Sequence, residues 1–142
     1  MTSAMPRDWR YGNLGGTSLE VEVVRGIYDA FARRDLEAAL LLIADDAELI
    51  VPGTAAQLGR SEPYRGHAGV REYFADAQRV WSELVLHADD IRAAGGGVVV
   101  FGHVEGRVGD VPVRRQVVWT WKVRDGKAWS VRASDVGEAP AG

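Results

Sequence analysis

The sequence predicts an α+β domain in which helices fill the first half and an antiparallel sheet fills the second. Up to about residue 81, apolar residues recur at the spacing of amphipathic helices. Beyond it, runs of valine and tryptophan are separated by glycine turns at residues 95–97, 109–110 and 125–126. Helices and strands that are segregated along a chain are typical of an α+β fold. The length of 142 residues suits one domain with its own core.

Two helices are expected near the start of the domain. Thr17 and Glu20 have the spacing of a capping box, in which each side chain bonds an amide of the first turn. Helical periodicity continues to about Arg34, and Asp35 can cap a short second helix over residues 36–44. Residues 1–16 show no clean period and are predicted to form an extended arm.

A strand and a third helix follow. Residues 47–51 are predicted to form a strand that Pro52 and Gly53 stop, and a polar loop is expected after them. The third helix begins near His67, and its apolar face is the clearest in the chain. That face consists of Val70, Tyr73, Phe74, Ala77, Val80 and Trp81.

Four further strands complete the predicted fold. They cover residues 83–94, 98–108, 111–123 and 127–136, and the first has a possible bulge near Asp89-Asp90. The domain is therefore expected to span residues 17–137, with a flexible tail over residues 138–142.

The composition argues against several classes of protein. Because the chain contains no cysteine, disulfides, thiolate metal sites and cysteine nucleophiles are excluded. A formal charge of −3 gives no reason to expect nucleic acid or an anionic membrane as a partner. The start of the sequence lacks the apolar core of a signal peptide, and no apolar run is long enough to cross a bilayer. A cytoplasmic location is expected.

The register of the last hairpin decides where its three tryptophans point. If residues 124–126 form a three-residue loop, Trp121 lies opposite Trp129 and Arg115 lies opposite Asp135. One face then carries Val117, Trp119, Trp121, Val123, Trp129, Val131 and Ala133. A two-residue loop would place the rings among serine and arginine side chains, which is costly without partners. The three-residue loop is therefore predicted, with Arg115 and Asp135 as a polar pair on the apolar face.

The preceding hairpin is predicted to have a two-residue turn at residues 109–110. Its register brings further residues to the tryptophan face, namely Val98, Val100, Gly102, Val104 and Val108. Glu105 then lies opposite Arg114 on the outer face and suits a cross-strand ion pair. His103 also points outward, opposite Gln116, whereas a bulge would turn it inward.

Four segments carry a family resemblance: IYDAFARRDLEAALLLIADDAELIVPG, YRGHAGVREYF, WTWKVRDGK and the closing RASD. Over roughly residues 19–136, they resemble the nuclear-transport-factor-2-like superfamily and its SnoaL-like branch. The resemblance implies a cone, in which three helices in the N-terminal half close a strongly curved mixed or antiparallel sheet around an apolar pocket. The branch includes ketosteroid isomerases, polyketide cyclases, limonene epoxide hydrolases and scytalone dehydratases, and homodimers through the outer sheet face are common.

The resemblance also locates the family's site positions. The catalytic aspartate of the isomerases corresponds to Val51, and their oxyanion-hole tyrosine to Ile27, or to Tyr28 after a shift of one residue. Their protonated aspartate and the aspartate base of the cyclases correspond to Trp119. The Asp-Arg-Asp set of the epoxide hydrolases has no clear match. Because both carboxylates are replaced, the resemblance supports the pocket and weakens the known mechanisms.

Three titratable residues are candidates for catalysis. Asp135 would act as a general base if the tryptophans desolvate it, whereas Arg115 opposite would hold it ionised. The two would then form a clamp for a polar substituent or a structural ion pair. His103 suits acid–base chemistry near neutral pH, but a packing or dimer contact on the outer face is the simpler interpretation. The three histidines lack a metal-binding spacing, so no metal and no cofactor is expected.

The predicted pocket wall is mainly aromatic. Tryptophans are core residues by default, but three on one concave face also suit a flat apolar ligand. Tyr64 and Tyr73 are candidates for hydroxyls at the mouth, although simple packing explains both. The ligand-binding candidates are Trp119, Trp121, Trp129, Val131, Val117, Val51, Ile27, Tyr28, Phe74 and Tyr64.

Three functions remain open at this point. The first is a pocket protein for a small apolar molecule. The second is an isomerase, cyclase, dehydratase or hydrolase for a polycyclic or terpenoid-like substrate, using Asp135 with Arg115 or an inward His103. The third is a homodimer formed through Val99, Phe101 and Val118 on the outer face, which is compatible with either of the others.

Overall fold

A computed structural model describes residues 18–135, and for Asp135 the backbone alone. The predicted arm, the predicted tail and Thr17 lie outside this range. The elements are α1 Leu19–Ala32, α2 Leu36–Leu41, β1 Ile43–Ile50, α3 Pro52–Gln57, β2 Tyr64–Arg65, α4 Gly66–Val80, β3 Trp81–Ala94, β4 Gly97–Val108, β5 Val111–Arg124 and β6 Lys127–Asp135.

Short polar side chains start the first two helices. Ser18 is the N-cap of α1, and its hydroxyl accepts a hydrogen bond of 3.1 Å from the Val21 amide. Asp35 caps α2 as predicted, because its carboxylate accepts from the Ala38 amide at 3.0 Å. The second helix ends at Leu41, earlier than expected, and the next strand begins at Ile43 rather than Ala47. Each cap satisfies an amide that the helix itself leaves without a partner.

The prediction of a polar loop after residue 53 is wrong in part, because α3 occupies the first half of that segment. Pro52 is at the start of this helix, where its fixed φ suits helical geometry and its missing amide hydrogen removes no helical bond. The proline thus ends β1 and begins a helix at the same point. The short β2 then pairs with β1 through Tyr64 opposite Leu49.

The six strands form one curved, open sheet in the order β2-β1-β6-β5-β4-β3. Neighbouring strands run antiparallel, except that β1 and β6 are parallel. The helices cover the concave face, where the core lies. Its most completely buried members include Ile27, Val24, Val70, Val98 and Val100. The sheet is therefore mixed, and four helices rather than three lie in the first half of the described chain.

The β4–β5 hairpin has the predicted register. Val108 lies opposite Val111 across the two-residue turn, and Val100 lies opposite Trp119 on the concave face. His103 lies opposite Gln116, as expected for the outer face. The neighbouring β3–β4 ladder is also irregular where predicted, because its register shifts between Ala88 and Asp90 and leaves Asp89 as the extra residue.

The β5–β6 hairpin differs from the prediction. Arg124 lies opposite Lys127, so the turn contains only Asp125 and Gly126, both with positive φ. The extra residue is instead a bulge in β6, since the register shifts between Lys122 and Val123. Trp121 consequently lies opposite Val131 rather than Trp129, and Asp135 lies opposite Val117 rather than Arg115.

The bulge preserves most of the predicted face while removing one member. The strand beyond it is displaced by two residues, which keeps Val131 and Ala133 beside Trp121 and Trp119. The Trp129 ring instead lies near exposed Lys122 and Arg124, with its centre 5.5 Å from the lysine nitrogen and 5.1 Å from the guanidinium carbon. The prediction that Trp129 joins the concave face is therefore wrong.

Candidate ligand pocket

A cavity of about 280 Å³ opens between α3 and the concave face of the sheet. Strands β3 to β5 supply its aliphatic wall, α4 and the strands supply three rings, and α3 supplies polar side chains at one side. Its lining includes Leu84, Leu86, Val104, Val108, Val113, Val117, Tyr73, Trp81, Trp119, Thr54, Gln57 and Arg115. A mostly apolar wall with a few polar groups is the usual character of a small-molecule site.

A chain of hydrogen bonds crosses the α3 side of this cavity. The Trp81 indole nitrogen can only donate, and it donates to the Thr54 hydroxyl at 3.0 Å. Thr54 in turn hydrogen-bonds the Tyr73 hydroxyl, and this bond lowers the pKa of Tyr73, although burial has the larger effect and raises that pKa overall. With Thr54 as donor, the Tyr73 proton is left to bond a further acceptor.

Arg115 supplies a positive charge at the cavity rim. It lies on β5 opposite Val104, with its side chain exposed and among the lining residues. Val117 and Trp119 follow at alternate positions on the same strand and also line the cavity. The strand thus carries a cation, an aliphatic side chain and a large ring in one row along the concave side.

A second cavity of about 30 Å³ lies deeper, and shares Val51, Tyr73, Leu86 and Trp119 with the first. Tyr28 closes it by packing edge-on against Trp119 and Trp121, with ring centres 5.5 and 5.7 Å apart. The Trp121 indole nitrogen donates to the Tyr28 hydroxyl at 3.1 Å. Burial raises the pKa of Tyr28, against the opposing effect of that hydrogen bond. All three rings line the smaller cavity, and Trp119 also lines the larger one.

A third cavity, of about 140 Å³, separates α1 and α4 from β3. Phe31 and Phe74 line it, with their ring centres 5.1 Å apart. Tyr73 and Leu86 line all three cavities, so these two side chains lie where the cavities adjoin.

The predicted ligand-binding residues fall into three groups, and one of them is Trp129 alone, which lies near Lys122 and Arg124 and lines none of the described cavities. Cavity walls include Trp119, Trp121, Val131, Val117, Val51, Tyr28 and Phe74. Ile27 and Tyr64 are instead buried core residues that line none of the described cavities. Tyr64 donates to the buried carboxylate of Asp76 at 2.9 Å, so its hydroxyl supports α4 rather than facing the mouth.

One of the three catalytic candidates, His103, lies away from the cavity. His103 lies on the outer face, where its Nδ1 is 2.7 Å from the Asp89 carboxylate. Asp135 has its backbone opposite Val117, two positions from the predicted partner Arg115. His103 therefore does not line the cavity on the concave face.

Sequence reasoning missed the α3 side of the cavity. Thr54 and Gln57 were assigned to a loop because the proline–glycine pair was interpreted as a terminator alone. Trp81 was recognised as the last residue of the apolar helix face, but it begins β3 and points its nitrogen toward Thr54. A proline before a small-residue run, followed by glutamine, was the signal available for a short helix.

The fold and the cavity define a class: an α+β cone with a curved open sheet, helices over its concave face, and an apolar pocket between them. The chain belongs to the SnoaL-like domain family, whose family model matches residues 24–131. No curated protein matches the chain.

Solved structures with the same fold include a putative polyketide cyclase and proteins of unknown function. TerC, co-crystallised with polyporic acid, is 28% identical, with a TM-score of 0.76 over 86% of this chain and 95% of that chain. An NTF2-like protein of unknown function from Burkholderia pseudomallei K96243 is 24% identical, with a TM-score of 0.76 over 84% and 92%. A putative polyketide cyclase from Sinorhizobium meliloti is 19% identical, with a TM-score of 0.65 over 80% and 94%. The last two similarities concern the fold alone.

No helix within residues 18–135 is both long enough and apolar enough to cross a membrane.

Proposed function

We propose that the chain binds a small, largely apolar aromatic molecule in the cavity between α3 and the sheet. The observation that carries this proposal is the wall itself, in which Trp81 and Trp119 face a space of about 280 Å³ among aliphatic side chains. Flat rings between indoles bury large apolar area and gain from edge or offset contacts. The co-crystallisation of the relative TerC with polyporic acid supports an organic acid as the ligand.

Two polar groups would orient such a ligand. The Tyr73 hydroxyl keeps its proton because burial raises the pKa of Tyr73, and it therefore offers a hydrogen bond to a carbonyl or phenolate oxygen. Arg115 at the rim favours an acidic substituent through its permanent positive charge. A ligand with an apolar aromatic body and one acidic or carbonyl edge satisfies both ends of the cavity.

Calorimetric titration with polyporic acid tests this proposal. Arg115→Gln removes the rim charge, and we expect it to weaken binding about tenfold, equivalent to about 1.4 kcal/mol. Arg114→Gln is the matched control, because Arg114 is the preceding residue and pairs with Glu105 on the outer face. Val104→Trp should abolish binding by filling the cavity that Val104 lines. Equal affinity in the wild-type protein and Val104→Trp would refute the assigned site.

Catalysis in the same cavity is the second candidate function. Its support is the register, which puts Asp135 opposite Val117, a residue of the cavity wall. An aspartate there would serve as a general base in an isomerase, cyclase, dehydratase or hydrolase reaction. Asp135→Asn is then expected to abolish turnover of a polycyclic or terpenoid-like substrate while affinity is kept. Unchanged turnover would exclude this role for Asp135, and His103→Gln should leave turnover intact because His103 lies on the outer face.

Dimerisation through the outer sheet face belongs to the same proposal. Phe101 is 44% exposed there, and lies opposite Val118, with Val99 two residues before it. Pairing two such faces would bury apolar area that is otherwise in water. Sedimentation equilibrium should give a dimer at micromolar concentration, and Phe101→Ser should shift it toward monomer. A wild-type monomer under these conditions would rule out this interface.

A further inference from the structure

We infer that His87, His103 and Glu105 form a binding site for a divalent transition-metal ion of the zinc type on the outer face of the sheet. Among the described residues, each of these three side chains offers one ligand atom, an imidazole nitrogen or a carboxylate oxygen. These three atoms lie within 4.8 Å of one another. Two imidazoles and one carboxylate are a common ligand set for zinc, with a further coordination position left for water.

The β3–β4 ladder creates this cluster. His87 lies directly opposite His103, and the two rings stack with centres 4.2 Å apart and planes 9° from parallel. Glu105 is two residues beyond His103 on the same strand and therefore on the same face. The histidines are 16 positions apart in the sequence, so only the strand register shows that they meet.

The distances suit a shared ion once the two imidazoles rotate out of their stack, because a metal ion lies in the plane of each imidazole that binds it. Oε1 of Glu105 is 2.8 Å from Nε2 of His87 and 3.9 Å from Nε2 of His103. Two ligands of a tetrahedral zinc ion with bonds of about 2.1 Å lie roughly 3.4 Å apart, which falls between these values. Nε2 of His87 is shielded from water and has no acceptor in hydrogen-bond geometry, although the carboxylate is close. A metal ion held between that nitrogen and the Glu105 carboxylate would satisfy both groups.

Surrounding residues orient these groups as metal sites require. Nδ1 of His103 is 2.7 Å from Oδ2 of Asp89, so Nδ1 donates and the Nε2 lone pair is directed to the cluster. Asp89 reaches His103 because it is the extra residue of the β3 bulge. Arg114 binds the second oxygen of Glu105, Oε2, and leaves Oε1 toward the histidines. The bulge therefore supplies the second-sphere carboxylate that fixes the tautomer of one ligand.

The test is zinc titration of the full-length chain, purified without a polyhistidine tag, in a non-chelating buffer at neutral pH. Calorimetry should give about one ion per chain, and His87→Gln, His103→Gln and Glu105→Gln should each weaken binding at least about tenfold. Asp89→Asn should weaken it about tenfold by freeing the His103 tautomer. His67→Gln is the matched control, because His67 is the remaining histidine and its ring nitrogen lies 2.7 Å from the Ile43 carbonyl oxygen instead.

A second measurement on the unsubstituted protein covers the case in which a variant fails to fold. In nitrogen-15 NMR of the imidazoles, zinc should shift the signals of His87 and His103 and leave those of His67 in place. Absence of zinc binding by the wild-type protein overturns the inference. So does binding that His67→Gln weakens as much as His103→Gln, or zinc-induced shifts confined to His67.

Discussion

The two faces of the sheet are built on different physical principles. On the concave face, Trp119 and Trp121 are each 5% exposed and contact Tyr28, so their contribution comes from area removed from water and from shape. On the outer face, Glu105 contacts His87, His103 and Arg114, and its contribution comes from charge at the surface. Substituting a closely packed buried side chain lowers the free energy of unfolding strongly, whereas exposed charge pairs contribute little to it. The concave face should therefore govern stability, and the charged groups of the outer face should contribute little to it.

The sharpest way to test this contrast is to delete one tryptophan from each face. Trp119→Ala should lower the free energy of unfolding by about 3–5 kcal/mol, because it removes a buried ring and leaves a cavity. Trp129→Ala removes a partly exposed ring that lies near Lys122 and Arg124, and a loss of about 1 kcal/mol is expected. Urea unfolding of both variants measures the difference. Equal losses would contradict the assignment of Trp129 to the outer face.

Alkaline pH should weaken the helix-covered side next most strongly. Burial raises the pKa of Tyr28, Tyr64 and Tyr73 above the ordinary value of 10.0. A folded state that holds these protons is fully stabilised below about pH 10 and loses that stabilisation as the pH rises further. With three such groups, the free energy of unfolding should fall by at most about 4 kcal/mol for each pH unit above this point.

Urea unfolding of the wild-type protein and Tyr64→Phe between pH 9 and 11 measures this slope. The variant has one titrating phenol fewer, so its slope should be shallower by about 1.4 kcal/mol per pH unit. At pH 7 the same substitution should itself lower stability by about 1.5–3 kcal/mol, because the buried Asp76 carboxylate loses a donor. Parallel slopes for the two proteins would show that Tyr64 does not hold its proton as described.

A smaller effect on the free energy of unfolding is expected at Gly102 of β4, which packs closely against neighbouring residues. A Cβ on Gly102 would collide with the His87 carbonyl oxygen and approach the Trp119 ring to 3.1 Å. Gly102→Ala should therefore cost about 1–3 kcal/mol in urea unfolding. Gly109→Asn is the comparison, since nothing lies within 4 Å of Gly109 and asparagine tolerates its positive φ. A Gly102→Ala protein as stable as Gly109→Asn would mean that the strands are farther apart at this point.

The smallest effect belongs to the outer face. Desolvation raises the pKa of Glu105, but the His87 and Arg114 side chains together outweigh it and lower that pKa, so the contribution of the Glu105 carboxylate to stability is lost as the solution becomes acidic. Because Glu105 is exposed to solvent, Glu105→Gln should leave the urea midpoint of the metal-free protein unchanged within error at neutral pH. A large loss of stability would show that this charge cluster supports the fold itself.

The two hairpins explain how far the sequence could predict this molecule. For β4–β5, alternation and the Gly109-Asp110 turn gave one consistent register, and the observed partners agree with it. For β5–β6, the extra residue had to lie in the turn or in the strand, and both solutions keep Val131 beside the tryptophans. Patterning alone does not distinguish a three-residue loop from a two-residue turn followed by a bulge. The difference is visible only at Trp129, which the bulge moves to the other face.

The sequence predicts which strand residues share the concave face, but it does not predict the helix that encloses the cavity on its other side. Alternation in β5 identified Val117 and Trp119 as neighbours on the concave side, and both line the cavity. Thr54 could not be placed there, because a six-residue helix has too little periodicity to be recognised beside a proline. The histidine cluster was missed for a related reason: pairing His87 with His103 requires the β3–β4 register, which depends on how the Asp89 bulge is counted.

The parallel pairing of β1 with β6 has a consequence for how the chain is made. In the sheet, β6 lies between β1 and β5, so the first and last strands of the described residues are neighbours in the folded protein. Until β6 is synthesised, β1 and β5 each keep an unpaired edge. The concave apolar face, to which Val131 of β6 belongs, is also incomplete. Closing contacts of such long sequence separation slows folding. Completion of the cone therefore waits for residues 127–135, and a chain that stops before residue 127 would present two unpaired strand edges to chaperones.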